Sequence, residues 1–129
     1  MRNIALFSFL SIVLVFTGCK KTYGTNEEFT LKFNESDYMS LNGLKYEVKF
    51  AKVVEESRCP PDVECITAGQ VIIKIQTEKS STYTLGLQSS TPPTLEFAGH
   101  TIRLLEVNYG KDSNYGKEKR YSIKLRIEE

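Results

Sequence analysis

The chain has 129 residues, with 17 basic and 16 acidic side chains, one histidine, three cysteines and no tryptophan. Residues 1–18 hold one basic residue and no acidic one, so the remaining chain carries 16 charges of each sign. This balance argues against a nucleic-acid-binding protein, which needs a strongly basic surface, and the length fits one small domain.

The first 18 residues have the pattern of a signal peptide. One positive charge, at Arg2, precedes a thirteen-residue apolar run from Ile4 to Phe16. As a helix this run would span about 20 Å, less than the roughly 30 Å hydrocarbon core of a membrane. We therefore predict an exported protein whose signal peptide covers residues 1–18, with an uncleaved membrane anchor as the alternative.

Cys19 follows directly on the small residue Gly18. The segment Val15-Phe16-Thr17-Gly18-Cys19 resembles the lipobox of bacterial lipoproteins, which implies cleavage before Cys19 and attachment of diacylglycerol to its thiol. A chance cysteine behind an ordinary signal peptide is the alternative. Two or three acyl chains anchor a protein stably, at about 0.8 kcal/mol per buried methylene. Residues 19–28 are polar and are interpreted as a tether between the lipid and a domain of residues 29–129.

From Phe29 onwards apolar residues recur with a period of two, the pattern of strands with one buried and one wet face. The predicted strands cover residues 29–33, 44–56, 70–78, 81–88, 100–107 and 120–127. The run at 70–78 is apolar on both faces and is expected to be a central strand. We predict one all-β domain, an antiparallel sandwich or small barrel of seven or eight strands, and the choice between sandwich and barrel stays open.

Lipidation of Cys19 leaves two cysteines, Cys59 and Cys65, in a compartment where thiols oxidise. We predict a disulfide between them, whose seven-residue loop contributes about 2 kcal/mol of stability. A redox pair and a metal site are the alternatives, although redox pairs favour Cys-x-x-Cys spacing. With His100 the two cysteines supply only three ligands where structural zinc takes four, so no metal or other cofactor is predicted.

These cysteines lie in the segment SRCPPDVECITAG, residues 57–69, which connects two predicted strands. Pro60 and Pro61 restrict the backbone, and together with the disulfide they predict a rigid loop of the kind that often carries recognition. Arg58 and Asp62 are expected either to form a surface ion pair across this loop or to contact a ligand.

The pattern R-C-P-x-x-V-x-C-I-x-A-G in this segment resembles the signature R-C-P-x-x-V-x-C-x-W-x-G of a family of small secreted bacterial lipoproteins and periplasmic β proteins. The family's tryptophan position is Thr67 here. The matching residues are Arg58, Cys59, Pro60, Val63, Cys65, Ala68 and Gly69. The resemblance extends loosely over most of the domain and implies export and a β fold, and it supplies no activity.

A second loop, YGKDSNYGKEK at residues 109–119, contains Tyr-Gly-Lys twice. Its glycines and polar residues are typical of a solvated hairpin tip. As an alternative, Tyr109 and Tyr115 form a contact surface, since tyrosines supply large amphipathic contacts.

No catalytic group of residues is recognisable in the sequence. His100 is the one histidine available as a general base, and no G-x-S-x-G elbow accompanies it. The acidic doublets at 27–28, 55–56 and 128–129 do not form acid–base pairs, because neighbours along a strand point to opposite faces. We predict that the protein is not an enzyme.

The sequence favours a lipid-anchored binding or assembly module of the cell envelope, which holds a protein or cell-wall partner through loops 57–69 and 109–119. An inhibitor or sensor of an envelope enzyme is the second hypothesis, and a redox protein that uses Cys59 and Cys65 is the third. Lys20 and Lys21 after the lipidated cysteine favour the outer membrane, facing the periplasm. No nucleic acid partner is expected.

Overall fold

The computed structural model describes residues 20–78 and 81–129, so the predicted signal peptide and Cys19 lie outside the described residues. Two single-turn 3-10 helices, Asp112–Asn114 and Glu118–Arg120, precede the last strand. The strands in this described part are β1 (Thr22–Tyr23), β2 (Glu28–Lys32), β3 (Ser36–Leu41), β4 (Leu44–Glu56), β5 (Val71–Thr77), β6 (Ser81–Leu87), β7 (Thr94–Phe97), β8 (His100–Asn108) and β9 (Ser122–Glu128). The predicted all-β domain is confirmed.

The strands form two sheets, a larger one with the order β1-β3-β4-β5-β6 and a smaller one with the order β2-β9-β8-β7. Neighbouring strands are antiparallel except for β1 and β3, which run parallel. Apolar side chains from both sheets meet in one core, as in a sandwich rather than a closed barrel. The predicted six ranges all correspond to strands, and the unpredicted β1, β3 and β7 raise the number in the described part to nine.

The core is built from the alternate residues that the sequence pattern indicates. β5 buries Val71, Ile73 and Ile75, and β9 contributes its own row of buried isoleucine and leucine side chains opposite. Among the described residues, the buried apolar side chains lie between Phe29 and Ile127. A hydrophobic core within these limits indicates a unit that folds without the predicted signal peptide.

β3 does not show the apolar alternation, because Asp37 stands at one of its inward positions. The Asp37 carboxylate accepts a 3.1 Å hydrogen bond from the backbone N–H of Lys21, and the backbone N–H of Tyr38 donates to the Lys21 carbonyl at 2.9 Å. These bonds hold β1 beside β3. Part of the segment that the sequence suggests as a tether, residues 19–28, is therefore paired in the larger sheet.

β4 is the longest strand, with 13 residues, and its pairing with β5 shifts register between Phe50 and Lys52 and again between Val53 and Glu55. Such bulges bend a strand and turn backbone groups out of the ladder. The backbone N–H of Val53 donates to the Glu118 carboxylate at 2.9 Å. The last third of β4 is thereby tied to the 109–119 loop at the end of the sandwich that carries the candidate site.

Candidate functional site

The connection between β4 and β5 is the stapled loop, residues 57–69, and its base is closed by both covalent and hydrogen bonds. The predicted disulfide between Cys59 and Cys65 is confirmed, with the two Cα atoms 5.7 Å apart. Below it the Ser57 N–H donates to the Gln70 carbonyl at 2.8 Å, and the Gln70 N–H donates to the Ser57 hydroxyl at 3.0 Å. The loop is therefore fixed where it leaves the sheet.

Arg58 lies at this base, and its charged partner is Glu56 rather than Asp62. The Arg58 Nε and Nη2 atoms donate to the two Glu56 carboxylate oxygens at 2.9 and 2.8 Å, and Nη1 donates to the Val107 carbonyl at 2.7 Å. The predicted ion pair between Arg58 and Asp62 is wrong. The physical reason is burial: the Glu56 side chain is 7% exposed and requires a partner, whereas Asp62 lies in the exposed turn and is solvated.

The bidentate geometry affects the ionisation of the guanidinium. Burial lowers the pKa of Arg58, but the hydrogen bond and the charge of Glu56 outweigh this effect, so the pKa lies above its ordinary value. The Arg58 guanidinium also lies 5.6 Å from the centre of the Tyr109 ring, within cation–π range. Arg58 thus stays charged and is fixed by contacts on several sides.

The second predicted loop, residues 109–119, packs against the same base. The Tyr115 hydroxyl donates a short hydrogen bond to the Arg58 carbonyl, and the Tyr109 ring packs edge-on against the Tyr115 ring with their centres 5.5 Å apart. The Tyr121 hydroxyl donates to the Glu56 carboxylate at 3.0 Å and accepts from the Gly116 N–H at 2.9 Å. The loops at residues 57–69 and 109–119, which the sequence suggests as separate features, are therefore joined in one hydrogen-bonded cluster.

The phenols in this cluster act as hydrogen-bond donors. Burial, followed by the nearby Glu56 carboxylate, raises the pKa of Tyr115 above its usual value. Burial likewise raises the pKa of Tyr121, against the opposing effect of the hydrogen bond from the Gly116 N–H. Both hydroxyls stay protonated at neutral pH and keep their bonds to the carbonyl and carboxylate that accept them.

The tip of the stapled loop, residues 61–68, projects beyond this cluster and is exposed throughout. It includes Asp62 and two apolar side chains, Val63 at 55% and Ile66 at 104% of full exposure. Single exposed apolar side chains are ordinary on protein surfaces. Here two of them lie on either side of Cys65, in a loop whose base is held by the disulfide and by hydrogen bonds.

The histidine and the acidic doublet considered for acid–base catalysis lie outside the tip. His100 is buried at the start of β8, with its Nδ1 atom 3.1 Å from the Ala98 carbonyl. In the 55–56 doublet, Glu55 accepts from the Gln70 side chain at 2.9 Å while Glu56 points to Arg58, so the two carboxylates face different partners as expected.

Neither a metal site nor a membrane span is found in the described ranges. Within residues 20–78 and 81–129 no three histidine, cysteine or acidic side chains come close enough together to hold a metal ion. The same ranges contain no helix that is both long and apolar enough to cross a membrane.

Sequence reasoning missed two members of the cluster and one of the tip. Tyr121 follows the alternation of β9 and looks like an ordinary core residue, and Glu56 looks like half of a surface doublet. Ile66 gives no signal of its own, because the sequence does not show whether an apolar side chain in a loop is covered or exposed. The spacing of Glu56 and Arg58, two residues apart at the end of a predicted strand, is the one sequence signal that points to the cluster.

Comparisons with protein-family models, with curated proteins and with solved structures gave no match. The function is therefore argued from the residues and their geometry.

Proposed function

We propose that the protein is a lipid-anchored binding module of the cell envelope, without catalysis, that offers the tip of its stapled loop to a protein partner. Lipidation at Cys19 and an outer-membrane position facing the periplasm are parts of this proposal, supported by the signal-peptide pattern and the residues that follow it. The observation that carries the binding role is Ile66, fully exposed beside the disulfide.

The physical case for binding at the tip rests on preorganisation. Burying one isoleucine side chain contributes about 2 kcal/mol, provided that little ordering is needed to achieve it. The disulfide, the paired prolines and the bonds of Arg58 fix the base of the loop before any partner arrives. A partner with an apolar pocket would therefore gain the burial of Ile66 and Val63 at a small entropic cost.

Photocrosslinking in intact cells tests this proposal. A photoreactive amino acid in place of Ile66 is expected to form a specific adduct with one envelope protein, identified by mass spectrometry. The matched control is Leu44, also exposed, at 60%, but placed at the opposite end of β4. The adduct is expected with the probe at position 66 and not with the probe at position 44. A probe at position 63 is also expected to form the adduct, and to lose it when Ile66→Asp is added. An equal yield from both positions would contradict the proposal.

A narrow, rigid loop also fits the cleft of an enzyme, so inhibition of an envelope enzyme is the second candidate. The projection of Ile66 next to a staple favours this alternative over a flat contact surface. Added mature protein would then suppress an envelope hydrolase at a one-to-one ratio, and Ile66→Asp would remove the suppression. The redox alternative requires that Cys59 and Cys65 react with alkylating agents in cells.

A further inference from the structure

The outer face of the larger sheet concentrates positive charge in a domain that is neutral as a whole. Its outward positions carry Lys45 and Lys49 on β4, Lys52 beyond the first bulge, and Lys74 on β5. In the described part of the chain, none of these four lysines takes part in an ion pair. We call these four residues the lysine face.

Two of these lysines oppose one another. Lys52 and Lys74 are direct cross-strand partners between β4 and β5. Like charges directly opposite on a sheet are destabilising. Of the carboxylates on β4, Glu47 pairs with Lys20 at 3.5 Å, and Glu55 accepts a hydrogen bond from the Gln70 side chain at 2.9 Å. The arrangement therefore costs folding stability and leaves the lysine ammonium groups available to an external anion.

The smaller sheet is different, although it is also rich in cations. On its outer face, Lys124 and Arg126 pair with Glu28 at 3.5 and 3.8 Å, and Arg103 pairs with Glu128 at 2.9 Å. The hydrogen bond from Arg103 also lowers the pKa of Glu128, which keeps that carboxylate charged. These three cations of the smaller sheet are thus paired locally, in contrast with the four lysines of the lysine face.

The point where the chain enters the domain lies on the same face. Lys20, the residue after Cys19, extends over the Tyr38 ring at 5.4 Å and reaches the Glu47 carboxylate on β4. Lys21 is already bonded to β3 through its N–H and its carbonyl. Very little free chain is therefore left between Cys19 and the larger sheet. A lipid attached at Cys19 would hold this sheet within a few residues of the membrane surface.

We propose that the lysine face is a membrane-docking surface that binds the phosphate groups of anionic lipids. This inference rests on the proposed lipid anchor at Cys19 and adds an orientation to it: the larger sheet lies towards the bilayer. An acyl anchor combined with a basic patch is a stable two-signal attachment. A shallow groove of about 650 Å³ along this face is lined by Lys45 and Lys49 and also by the carboxylates of Glu47 and Glu78.

The test uses the domain of residues 20–129, which contains the whole core and lacks Cys19, so that binding does not depend on lipidation. It is mixed with vesicles of phosphatidylglycerol and phosphatidylethanolamine, or of phosphatidylcholine alone, and binding is measured by co-sedimentation. We expect binding to the anionic vesicles only, and a decrease with rising salt, because each exposed charge is screened. Absence of binding, or binding that is insensitive to salt, would overturn the proposal.

Reversing the charge of two of the four lysines tests whether the vesicles bind at the lysine face. Lys52→Glu with Lys74→Glu keeps a like-charge pair at this position, so the fold is expected to be as stable as before. Binding is expected to fall about 30-fold or more, since each lysine near an anionic surface contributes about fivefold. The matched control is Lys32→Glu with Lys124→Glu on the smaller sheet, which changes the net charge equally and should retain most of the binding. An equal loss in both variants would refute the assignment.

A soluble polyanion is the competing occupant. If inorganic polyphosphate binds the domain as tightly as the anionic vesicles, the face is a site for free polyanions and the membrane proposal fails. If the membrane-docking proposal fails, the proposed lipid anchor is not affected. Acylation of Cys19 is measured independently, from the mass of the protein isolated from cells.

Discussion

At the scale of single residues, the buried carboxylate of Glu56 connects the two loops. It accepts hydrogen bonds from the Arg58 guanidinium and from the Tyr121 hydroxyl, while Arg58 in turn reaches the Val107 carbonyl. A buried carboxylate is stable only when such donors surround it. Arg58, Tyr109 and Tyr115, which the sequence suggests as contact residues, therefore fix the base of the loop, and the exposed surface lies at residues 61–68.

Glu56→Gln tests this role. The substitution keeps the shape of the side chain but leaves the Arg58 charge without its partner, and we expect the free energy of unfolding to fall by about 2 kcal/mol. Asp62→Asn is the matched control, since Asp62 is exposed, and its effect is expected to stay within about 0.5 kcal/mol. Chemical denaturation of the two variants measures the difference. Equal effects would show that the buried pair is not the stabilising contact.

At the scale of elements, alternation predicts a strand where the buried face is apolar and fails where it is not. β4, β5, β8 and β9 follow the pattern and lie where the sequence places them, within about two residues. β3 carries Asp37 at a buried position, and the donor that satisfies it comes from Lys21 in another element. A local pattern does not contain such a partner, so the sequence gives no sign of the β1–β3 pairing.

The same limit applies to the candidate site. The disulfide follows from counting cysteines and from the compartment, and needs no knowledge of the fold. The partner of Arg58 depends on which of two nearby carboxylates is buried. That is decided by the bulged end of β4 and by Tyr121, which directly precedes β9. The convergence of the loops at 57–69 and 109–119 is a property of sheet packing, beyond the reach of local sequence patterns.

Removing the Cys59–Cys65 disulfide tests how much it contributes to the stability of the loop and the domain. In the double variant Cys59→Ala with Cys65→Ala we expect a loss of about 2 kcal/mol in the free energy of unfolding, because the unfolded chain is no longer constrained. The sheets are expected to persist, since the Ser57–Gln70 and Arg58 hydrogen bonds remain. Thermal unfolding, monitored by circular dichroism, measures both the loss of stability and the persistence of the sheets. A reducing agent should destabilise the unmodified protein and leave the double variant unchanged, and any other result would contradict the assignment of the staple.

At the scale of the whole molecule, the proposals predict how the sandwich is oriented relative to the membrane. In these proposals the lysine face on the larger sheet is turned towards the membrane together with Lys20. The exposed tip with Ile66 belongs to the loop that follows the end of β4. The end of β4 at Leu44 is the opposite one. One surface would thus hold the domain on the bilayer while another meets a partner.

The mass of the intact protein isolated from cell membranes reads export, lipidation and the disulfide together. Our account predicts a chain that begins at Cys19, carries acyl groups on that residue, and is two hydrogens lighter than the reduced chain because Cys59 and Cys65 are joined. A chain recovered from the cytosol with residues 1–18 still attached, without acyl groups and with all of its thiols reduced, would contradict it.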